Sequence, residues 1–287
     1  MPTNELSTHA EVTWCPGCGN FGILNAFKKA ISTLENKGIH HNNIVLSAGI
    51  GCHGKIFDYL SMSGLYSLHG RSMATVQGMK LGNPDLTVIT FAGDGDAYGE
   101  GLEHMIFAAK RNADITVIVH NNGVYALTVG QFSPTSQKGF KGPSLPTGSI
   151  EDPLNPLSLL LEAGASFVAR GFAGKIDHLS NLIVEAVLHK GFSVIDVLQP
   201  SVVFNNTYKL YNDITEINPK PAKTFEEAIK LVKNFNDKIP IGVFYKIKKP
   251  VFHIELFGKW NPVIDHMTQE ERKQQVASYL SNQLNEL

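Results

Sequence analysis

Residues 91–101, FAGDGDAYGEG, decide the fold when they are read together with residues 117–127, VIVHNNGVYAL. Each segment begins as a short apolar run of the kind that forms a buried strand, and each breaks at its carboxyl end into polar and glycine residues. In open α/β sheets, ligands bind at the carboxyl ends of the strands. The two segments therefore predict strands of such a sheet, with a binding site where they end.

Asp94 and Asn122 stand at these two strand ends and indicate the chemistry of the site. A carboxylate oxygen and an amide oxygen suit Mg²⁺, which completes its octahedron with phosphate oxygens. Gly93 and Gly95 allow the backbone to approach a diphosphate closely. The next helix begins nearby, and the N-terminus of a helix favours anions. The pattern predicts a diphosphate cofactor held through Mg²⁺. Taken alone, the first motif could be an acidic turn and the second a tight turn.

Strand-like and helix-like segments alternate from residue 20 to residue 200, which predicts an α/β fold: a mostly parallel sheet with helices on both faces. Residues 128–156 are rich in Gly, Pro, Ser and Thr and are expected to form a long loop that is functional or mobile. Strands are predicted at residues 44–48, 66–68, 86–92, 115–119, 167–170 and 192–197. Helices are predicted at residues 20–36, 100–111, 156–163 and 176–189, and one more helix, after residue 71, is predicted to end at residue 80.

The composition changes after about residue 205, where lysine becomes frequent. A helix is expected at residues 225–235, an edge strand at 241–245 and an exposed polar helix at 268–287. We therefore expect two parts. Residues 1–205 form the diphosphate-binding α/β domain with an N-terminal cysteine segment, and residues 206–287 form a C-terminal extension that packs on this domain or on a partner subunit.

Length and charge exclude several classes of function. The chain has 287 residues and a net charge of −1, so nothing favours nucleic acid or a membrane surface as a partner. No apolar run approaches the length of a membrane span, and the N-terminus lacks the pattern of a signal peptide. The sequence predicts a cytoplasmic protein.

Three cysteines, Cys15, Cys18 and Cys52, form an odd, clustered set that suits a soft metal better than disulfides. Cys15 and Cys18 form a C-x2-C turn ahead of the first helix, which can place two thiolates on one metal or cluster. Cys52 lies in the glycine-rich segment that follows a predicted strand, where its alternative role is that of a small buried apolar residue. We favour one metal site shared by all three.

Six motifs, taken in order, resemble the β subunit of archaeal 2-oxoacid:ferredoxin oxidoreductases, and the resemblance extends over residues 14–205. They are WCPGCGNFGIL, GIGCHGK, LHGR, KLGNP, GDGDAYGEG and NNGVYALTVGQFSPT. The resemblance implies the thiamine diphosphate-binding fold. It also implies oxidative decarboxylation of a 2-oxoacid, with electrons passed through a [4Fe–4S] cluster to ferredoxin and the acyl group transferred to coenzyme A.

The resemblance also implies roles for individual residues. Asp94, Asn122 and the Val124 carbonyl correspond to Mg²⁺ ligands, and the three cysteines correspond to cluster thiolates. His69 and Gly95 correspond to neighbours of the diphosphate, whereas Lys55 and Leu127 fall where family members shape the 2-oxoacid pocket. The expected cofactor-binding set is completed by Gly17, Cys18, Gly93, Asp96, Tyr125, Ala126, Leu127 and Thr128.

Only one domain of the kind that thiamine diphosphate enzymes use is visible in the sequence. Such enzymes need a glutamate on the aminopyrimidine ring, and it normally comes from a second domain. An α subunit is therefore expected to supply that glutamate, much of the substrate pocket and the coenzyme A site. The active site should lie between the subunits of a heterodimer or of a dimer of heterodimers, and the chain should be active only in that complex.

Two residues depart from the family pattern. The fourth cluster cysteine is replaced by Ser201, which leaves three outcomes: a serine or water ligand on the fourth iron, a [3Fe–4S] cluster, or an empty site. We expect a cluster that binds but is labile to oxygen; alternatively, Ser201 only fills the turn after Pro200. Val129 stands where the family often has lysine, so small or apolar acids such as pyruvate or 2-oxobutyrate are the expected substrates.

Two other functions compete with this interpretation. A thiamine diphosphate decarboxylase or carboligase without electron transfer would leave the clustered cysteines unexplained. An inactive scaffold subunit that only binds metal would leave the Asp94 and Asn122 pair unexplained. Bound iron–sulfur chromophore supports the oxidoreductase, whereas a colourless protein that binds the cofactor supports the decarboxylase.

Overall fold

A computed structural model describes residues 6–218, 220–233, 237–265 and 267–285. Its strands are β1 (Ile44–Ala48), β2 (Gly64–Tyr66), β3 (Thr87–Gly93), β4 (Thr116–Asn121), β5 (Val124–Tyr125), β6 (Gln131–Phe132), β7 (Phe167–Phe172), β8 (Ser193–Leu198), β9 (Thr215–Ile217) and β10 (Ile239–Lys246). Its α-helices are α1 (Gly19–Glu35), α2 (Ser72–Gly82), α3 (Leu102–Arg111), α4 (Pro156–Glu162), α5 (Ile176–Leu188), α6 (Tyr208–Ile214), α7 (Phe225–Lys233), α8 (Phe252–Phe257) and α9 (Gln269–Asn285).

Eight strands form one sheet in the order β2-β1-β3-β4-β8-β7-β10-β9. Neighbouring strands from β2 to β7 pair in parallel, β10 pairs antiparallel with β7, and β9 closes the sheet in parallel with β10. Strands β5 and β6 form a separate short hairpin. The mostly parallel sheet confirms the predicted fold class.

Helices cover both faces of the sheet, so its central strands are buried on both sides. Helices α1 and α5 pack on one face, and α2, α3, α4 and α7 pack on the other. Strand β3 alternates between the two cores: Ile89 and Phe91 face the first, whereas Val88 and Ala92 face the second. Successive side chains of a strand point to opposite faces of the sheet, and both faces are buried here. The strand is therefore apolar at most of its positions.

Most predicted elements are present, with three differences. Strand β2 ends at Tyr66, the residue at which the sequence predicts its start. Residues Gly95–Glu100 form a π-helical turn ahead of α3, so this helix begins two residues later than predicted. The predicted edge strand is instead β10, an inner strand, because β9 pairs with its outer side. Residues 234–235 and 286–287, the ends of two predicted helices, lie outside the described residues.

The expected C-terminal extension shares the central sheet with the rest of the chain. Strands β9 and β10 belong to the sheet, and Ala228 and Val232 of α7 are fully buried in the second core. Within the described ranges, no helix combines the length and apolar character that a bilayer crossing requires.

Candidate functional site

A cavity lies beyond the carboxyl ends of β1, β3 and β4, where the sequence places its glycine-rich motifs. The space within its walls is about 480 Å³ when the part open to solvent is included. Most of the predicted cofactor-binding residues line it: His69, Gly93, Asp94, Gly95, Asp96, Asn122, Val124, Tyr125, Ala126, Leu127 and Thr128. Ile50, Gly51, Cys52, His53 and His120 complete the lining.

The glycines at the cavity make room for neighbouring side chains. A Cβ atom on Gly93 would lie 2.7 Å from His53 Nδ1, and one on Gly95 would lie 2.2 Å from the ring of Tyr125. A Cβ atom on Gly49 would collide with the carboxylate of Asp96. Gly93 and Gly95 are predicted to allow the close approach of a diphosphate, whereas in the structure His53 and Tyr125 fill the adjoining space.

Asp94 follows β3 directly and is 2% exposed. Its Oδ2 atom accepts hydrogen bonds from the hydroxyl groups of Ser133 and Thr135, the latter at 2.8 Å. Burial raises the pKa of the Asp94 carboxyl, and the two hydroxyl donors oppose that rise because they stabilise the charged form. The carboxylate is therefore held in place by the long loop over residues 128–156.

Asn122 and Val124 bring the end of β4 and the start of the β5–β6 hairpin to the same cavity. The Asn122 Oδ1 atom accepts a hydrogen bond from the Val124 N–H at 3.0 Å. The Asn122 carbonyl accepts one from Asn205 Nδ2 at 2.8 Å. These contacts fix the segment that carries the predicted amide and carbonyl ligands.

Asp96 lies between two histidines on the inner wall. Its Oδ1 atom accepts a 2.7 Å hydrogen bond from the Gly70 N–H and lies 3.7 Å from His69 Nδ1. Its Oδ2 atom lies 3.4 Å from His53 Nε2. Burial lowers the pKa of His120, the third histidine of the lining, so this ring is neutral at physiological pH.

Several buried polar atoms of this wall have no hydrogen-bond partner among the described residues. They are Asp96 Oδ2, His53 Nε2, His69 Nδ1 and His120 Nε2. Such atoms are costly to bury unpaired. Three of these atoms still lie close to a polar partner, since Asp96 Oδ2 is 3.4 Å from His53 Nε2 and His69 Nδ1 is 3.7 Å from Asp96 Oδ1. The polar character of this wall fits a charged, hydrogen-bonding cofactor.

No three His, Cys, Asp or Glu side chains in the described part of the chain are grouped closely enough to hold a metal ion. The predicted Mg²⁺ site is of a different kind, because it uses one carboxylate with amide, carbonyl and phosphate oxygens. Asp94, Asn122 and Val124 all line the cavity, so the structure brings the proposed protein ligands together.

The three cysteines lie in one region at the edge of the cavity. Burial raises the pKa of the Cys18 thiol, and the nearby thiols of Cys52 and Cys15 raise it further. Burial also raises the pKa of Cys52, although the Lys55 ammonium opposes this. Thiols in such surroundings ionise readily only when a metal compensates the charge.

The segment that contains Ser201 lies against the cysteine turn. Gln199 Nε2 donates to Cys18 Sγ at 3.4 Å, and the Gly19 N–H donates to the Pro200 carbonyl at 3.0 Å. Ser201 is buried beside them, and its backbone pairs with that of Asn205.

Gly17 also faces this segment, since a Cβ atom there would lie 3.7 Å from Val202. Gly17 thus lies beside the cysteine group, to which Cys18 belongs. These two are the predicted cofactor-binding residues that are not in the cavity lining.

The residues expected to shape the substrate pocket differ in position. Leu127 lines the cavity and is 46% exposed. Lys55 is not among the lining residues, and its ammonium donates to Thr13 Oγ1 at 2.9 Å. Val129 lies beyond the lining at the tip of the hairpin, with a left-handed φ of 67° that is unusual for a β-branched residue.

Sequence reasoning missed several residues of the site. Ser133 and Thr135 belong to one of the six motifs, but nothing in the motif marks them as site residues. Their position just after the hairpin could have suggested a turn that faces the hairpin. His120 lies in β4, next to its last residue, and carries no signal of its own. The long loop has no periodic pattern from which its contact with Asp94 could be inferred.

Comparisons with known proteins agree with this geometry. Residues 49–197 match the family model for the thiamine pyrophosphate enzyme C-terminal TPP binding domain, and residues 202–258 match the model for the C-terminal part of the pyruvate ferredoxin oxidoreductase beta subunit. The chain is 46% identical over 250 residues to the 2-oxoacid:ferredoxin oxidoreductase subunit beta of a Sulfolobus species, covering 81% of each chain. It is 45% identical over 250 residues to the protein of the same name from Saccharolobus solfataricus, again covering 81% of each.

A solved structure has a similar fold over almost the whole chain. It is a 2-oxoglutarate:ferredoxin oxidoreductase from Magnetococcus marinus with 2-oxoglutarate, coenzyme A and succinyl-CoA bound. The TM-score is 0.89 at 33% sequence identity, and the match covers 96% of both chains.

Proposed function

Because the chain belongs to the β subunits of 2-oxoacid:ferredoxin oxidoreductases, we propose that its cavity binds thiamine diphosphate through Mg²⁺. The enzyme would decarboxylate a 2-oxoacid oxidatively to an acyl-coenzyme A and CO2. The observation that carries this proposal is the convergence of Asp94, Asn122 and Val124 on one cavity. The wall of the same cavity contains four buried polar atoms without a hydrogen bond among the described residues.

Each part of the cavity has a task in this reaction. Thiamine diphosphate, when bound, supplies the electron sink that lets a 2-oxoacid lose CO2. Asp94 and Asn122 would hold the Mg²⁺ that anchors the diphosphate, and His69 would donate a hydrogen bond toward it. Leu127 would cover the mouth of the cavity with an apolar side chain, which limits water and the size of the substrate.

The proposed site is completed by an α subunit. The cavity lining, as far as the structure describes it, contains Asp94 and Asp96 but no glutamate that could serve the aminopyrimidine ring. Apolar side chains are exposed at or near its mouth, including Ile50 at 40% and Leu68 at 77%. A partner that supplies the glutamate and covers these side chains accounts for both observations.

We further propose that Cys15, Cys18 and Cys52 hold an iron–sulfur cluster, with Ser201 at the fourth position. Cys15 is exposed while Cys18 is buried, so the cluster would lie between the cofactor cavity and the surface. Electrons could leave there toward ferredoxin. Free thiols of this kind are expected in the reducing cytoplasm.

The proposed substrates are small or apolar 2-oxoacids such as pyruvate or 2-oxobutyrate. Val129 and Leu127 are apolar, and Lys55 is engaged with Thr13 in the structure. The Magnetococcus marinus relative has 2-oxoglutarate bound, so a direct comparison of the two kinds of acid is the informative measurement.

The test uses the native complex, purified with its α subunit without oxygen. We expect the complex to bind thiamine diphosphate only with Mg²⁺ and to reduce ferredoxin when a 2-oxoacid and coenzyme A are supplied. The isolated β chain should release no CO2. Release of CO2 by the complex without ferredoxin reduction would favour the non-oxidative decarboxylase. Cofactor binding without any turnover across a panel of 2-oxoacids would favour the scaffold.

A further inference from the structure

The carboxylate of Asp94 is held by two hydroxyl groups from a distant part of the chain. Ser133 and Thr135 both donate to its Oδ2 atom, across sequence separations of 39 and 41 residues. Ser133 is 3% exposed and Asp94 is 2% exposed, so the contact is shielded from water. Hydrogen bonds from hydroxyl groups to a buried charged carboxylate are among the stronger ones in proteins.

The two hydroxyl groups are presented by a rigid turn, residues 133–136. The Ser136 N–H donates to the Ser133 carbonyl at 3.0 Å, and Pro134 occupies the position that proline favours in such turns. The Ser136 hydroxyl donates to the Gly123 carbonyl at 2.6 Å, next to Asn122. The turn is therefore tied to the same segment that carries the second proposed Mg²⁺ ligand.

The geometry assigns different tasks to the two oxygens of Asp94. Thr135 Oγ1 lies 2.8 Å from both Asp94 Oδ2 and Asn121 Oδ1, and its single proton goes to the carboxylate because a charged acceptor is the better one. With Ser133 on the same atom, Oδ2 is occupied by donors. Backbone N–H groups of Asp94 and Asn122 also stabilise the charged carboxylate. Among the described side chains none donates a hydrogen bond to Oδ1, so this oxygen is the one available to a cation.

We propose that Ser133 and Thr135 are positioning residues that orient Asp94 for divalent cation binding. This inference rests on the proposed function, since it takes Asp94 to be a cation ligand. Partners that orient a ligating side chain typically contribute about 10–100-fold to metal affinity. The loop over residues 128–156 thereby acquires a function, because one turn of it controls how firmly the cation is held.

The informative substitution is Thr135→Val, which removes the hydroxyl group and keeps the shape. The new methyl group takes the place of Oγ1 beside Asp94 Oδ2 and Asn121 Oδ1, and Thr135 also faces a second cavity into which neighbouring side chains can adjust. Thr135→Ser restores the hydroxyl group. Thr147→Val makes the same change at an exposed site in the same loop and serves as the matched control. Asp94→Ala removes the proposed ligand itself.

The measurement is Mn²⁺ binding to the complex with its α subunit, in the presence of thiamine diphosphate, followed by electron paramagnetic resonance of free Mn²⁺. We expect Thr135→Val to raise the dissociation constant for Mn²⁺ about 10–100-fold. Thr135→Ser should return it to near the wild-type value, and Thr147→Val should leave it unchanged. The melting temperature in chelator should be similar for all these variants.

The possible results separate this inference from the proposed function. If Asp94→Ala abolishes Mn²⁺ binding while Thr135→Val retains wild-type affinity, the positioning role is wrong and the cation site stands. If Asp94→Ala binds Mn²⁺ normally, the cation assignment itself fails. If Thr135→Val lowers the melting temperature in chelator and Thr135→Ser does not restore affinity, the hydroxyl group is only structural and the inference is overturned.

Discussion

Asp94 is the one charged protein ligand in the proposed Mg²⁺ site, so its removal should be decisive. Asp94→Ala would leave the diphosphate without its bridge to the protein, and Ser133 and Thr135 without their acceptor. We expect the affinity for thiamine diphosphate to fall at least about 100-fold. The reason is that a buried charged group that loses its partner typically costs a few kcal/mol of binding free energy. Calorimetric titration of the complex with the cofactor and Mg²⁺ measures this.

The control for that experiment is Asp177→Ala, which removes an 83% exposed carboxylate paired with Lys29. It should leave cofactor affinity unchanged, because exposed ion pairs contribute little. Unchanged affinity in Asp94→Ala, with the control also unchanged, would contradict the assignment of Asp94.

Val129 lies at the exposed tip of the β5–β6 hairpin, two residues after Leu127 of the cavity lining. It is 59% exposed, and its left-handed backbone disfavours β-branched residues. Val129→Lys should therefore fold, and its ammonium could pair with the distal carboxylate of 2-oxoglutarate. We expect the ratio of kcat/KM for 2-oxoglutarate to that for pyruvate to rise about tenfold, which corresponds to about 1.4 kcal/mol.

Val129→Met is the matched control, since it lengthens the side chain without adding a charge. The ratio should rise with lysine and stay near the wild-type value with methionine. The substrate proposal fails if the wild type already prefers 2-oxoglutarate, or if lysine leaves the ratio as it was.

Individual residues differ in how well the sequence predicts their place. Asp94 and Asn122 follow strands directly, so their position at the cavity could be read from strand ends alone. Lys55 also follows a strand, but the short helical turn after His53 directs its ammonium to Thr13. Such a turn has no periodic pattern, and the direction of a flexible side chain depends on tertiary contacts that the sequence does not display.

At the scale of elements, the turn after β8 and the cysteine turn before α1 form one unit. The Gly19 N–H bonds the Pro200 carbonyl, and Gln199 bonds Cys18 Sγ. Ser201 is therefore in the region of the proposed cluster. A serine ligand binds iron less well than a thiolate, because its hydroxyl must lose a proton of much higher pKa and is a harder donor.

Ser201→Cys should strengthen the cluster. We expect the variant to retain more iron after handling in air and to lose its visible absorption more slowly than the wild type. Electron paramagnetic resonance of the wild type distinguishes the cluster types, since a signal in the oxidised protein marks three irons and one seen only after reduction marks four. Equal iron content and equal bleaching rates would mean that position 201 is not a ligand site.

Element prediction succeeds where the apolar period is strong and fails where pairing is non-local. Strand β1 has the predicted bounds, and α1 and β8 differ from theirs by one residue at either end. The sequence predicts β10 as a strand but at an edge, because its antiparallel partner β7 and its parallel partner β9 cannot be identified from its own residues. The contact of residues 133–136 with Asp94 escapes prediction for the same reason.

Across the whole molecule, the two ends of the sheet have different tasks. The cofactor cavity lies at the carboxyl ends of the strands, whereas a buried ion pair lies at the amino ends. There Lys80 Nζ and Asp114 Oδ2 are 2.9 Å apart, and the Gly191 N–H donates to Asp114 Oδ1 at 3.0 Å. Burial raises the pKa of Asp114, but the ammonium groups of Lys80 and Lys190 lower it by more, so the net shift is downward.

Asp114→Asn should destabilise the protein without affecting the site. It leaves the Lys80 ammonium buried without its charged partner, which typically costs about 3–5 kcal/mol. We expect a lower melting temperature and an unchanged cofactor affinity in the folded complex. Lys80→Met together with Asp114→Asn is the control, because removal of both charges should cost less than removal of one. A single variant as stable as the wild type would contradict this account.

The same pair makes stability depend on pH in a defined direction. The pKa of Asp114 is lower in the folded chain than in the unfolded one, where it is about 4. Its contribution is therefore complete above the unfolded pKa and is lost as the pH falls through the folded pKa. The wild type should lose more stability than Asp114→Asn as the pH falls from about 5 to the folded pKa.

The position of β10 also affects how the chain is made. Ribosomes deliver the N-terminal strands first, so β7 emerges long before its antiparallel partner. During that interval the outer edge of β7 is an unpaired row of backbone groups on an apolar sheet, the kind of surface that recruits other chains. A truncated product that ends before β10 would keep that edge open permanently. In the completed chain the C-terminal segment covers this edge, so we expect truncated products to aggregate more readily than the full chain.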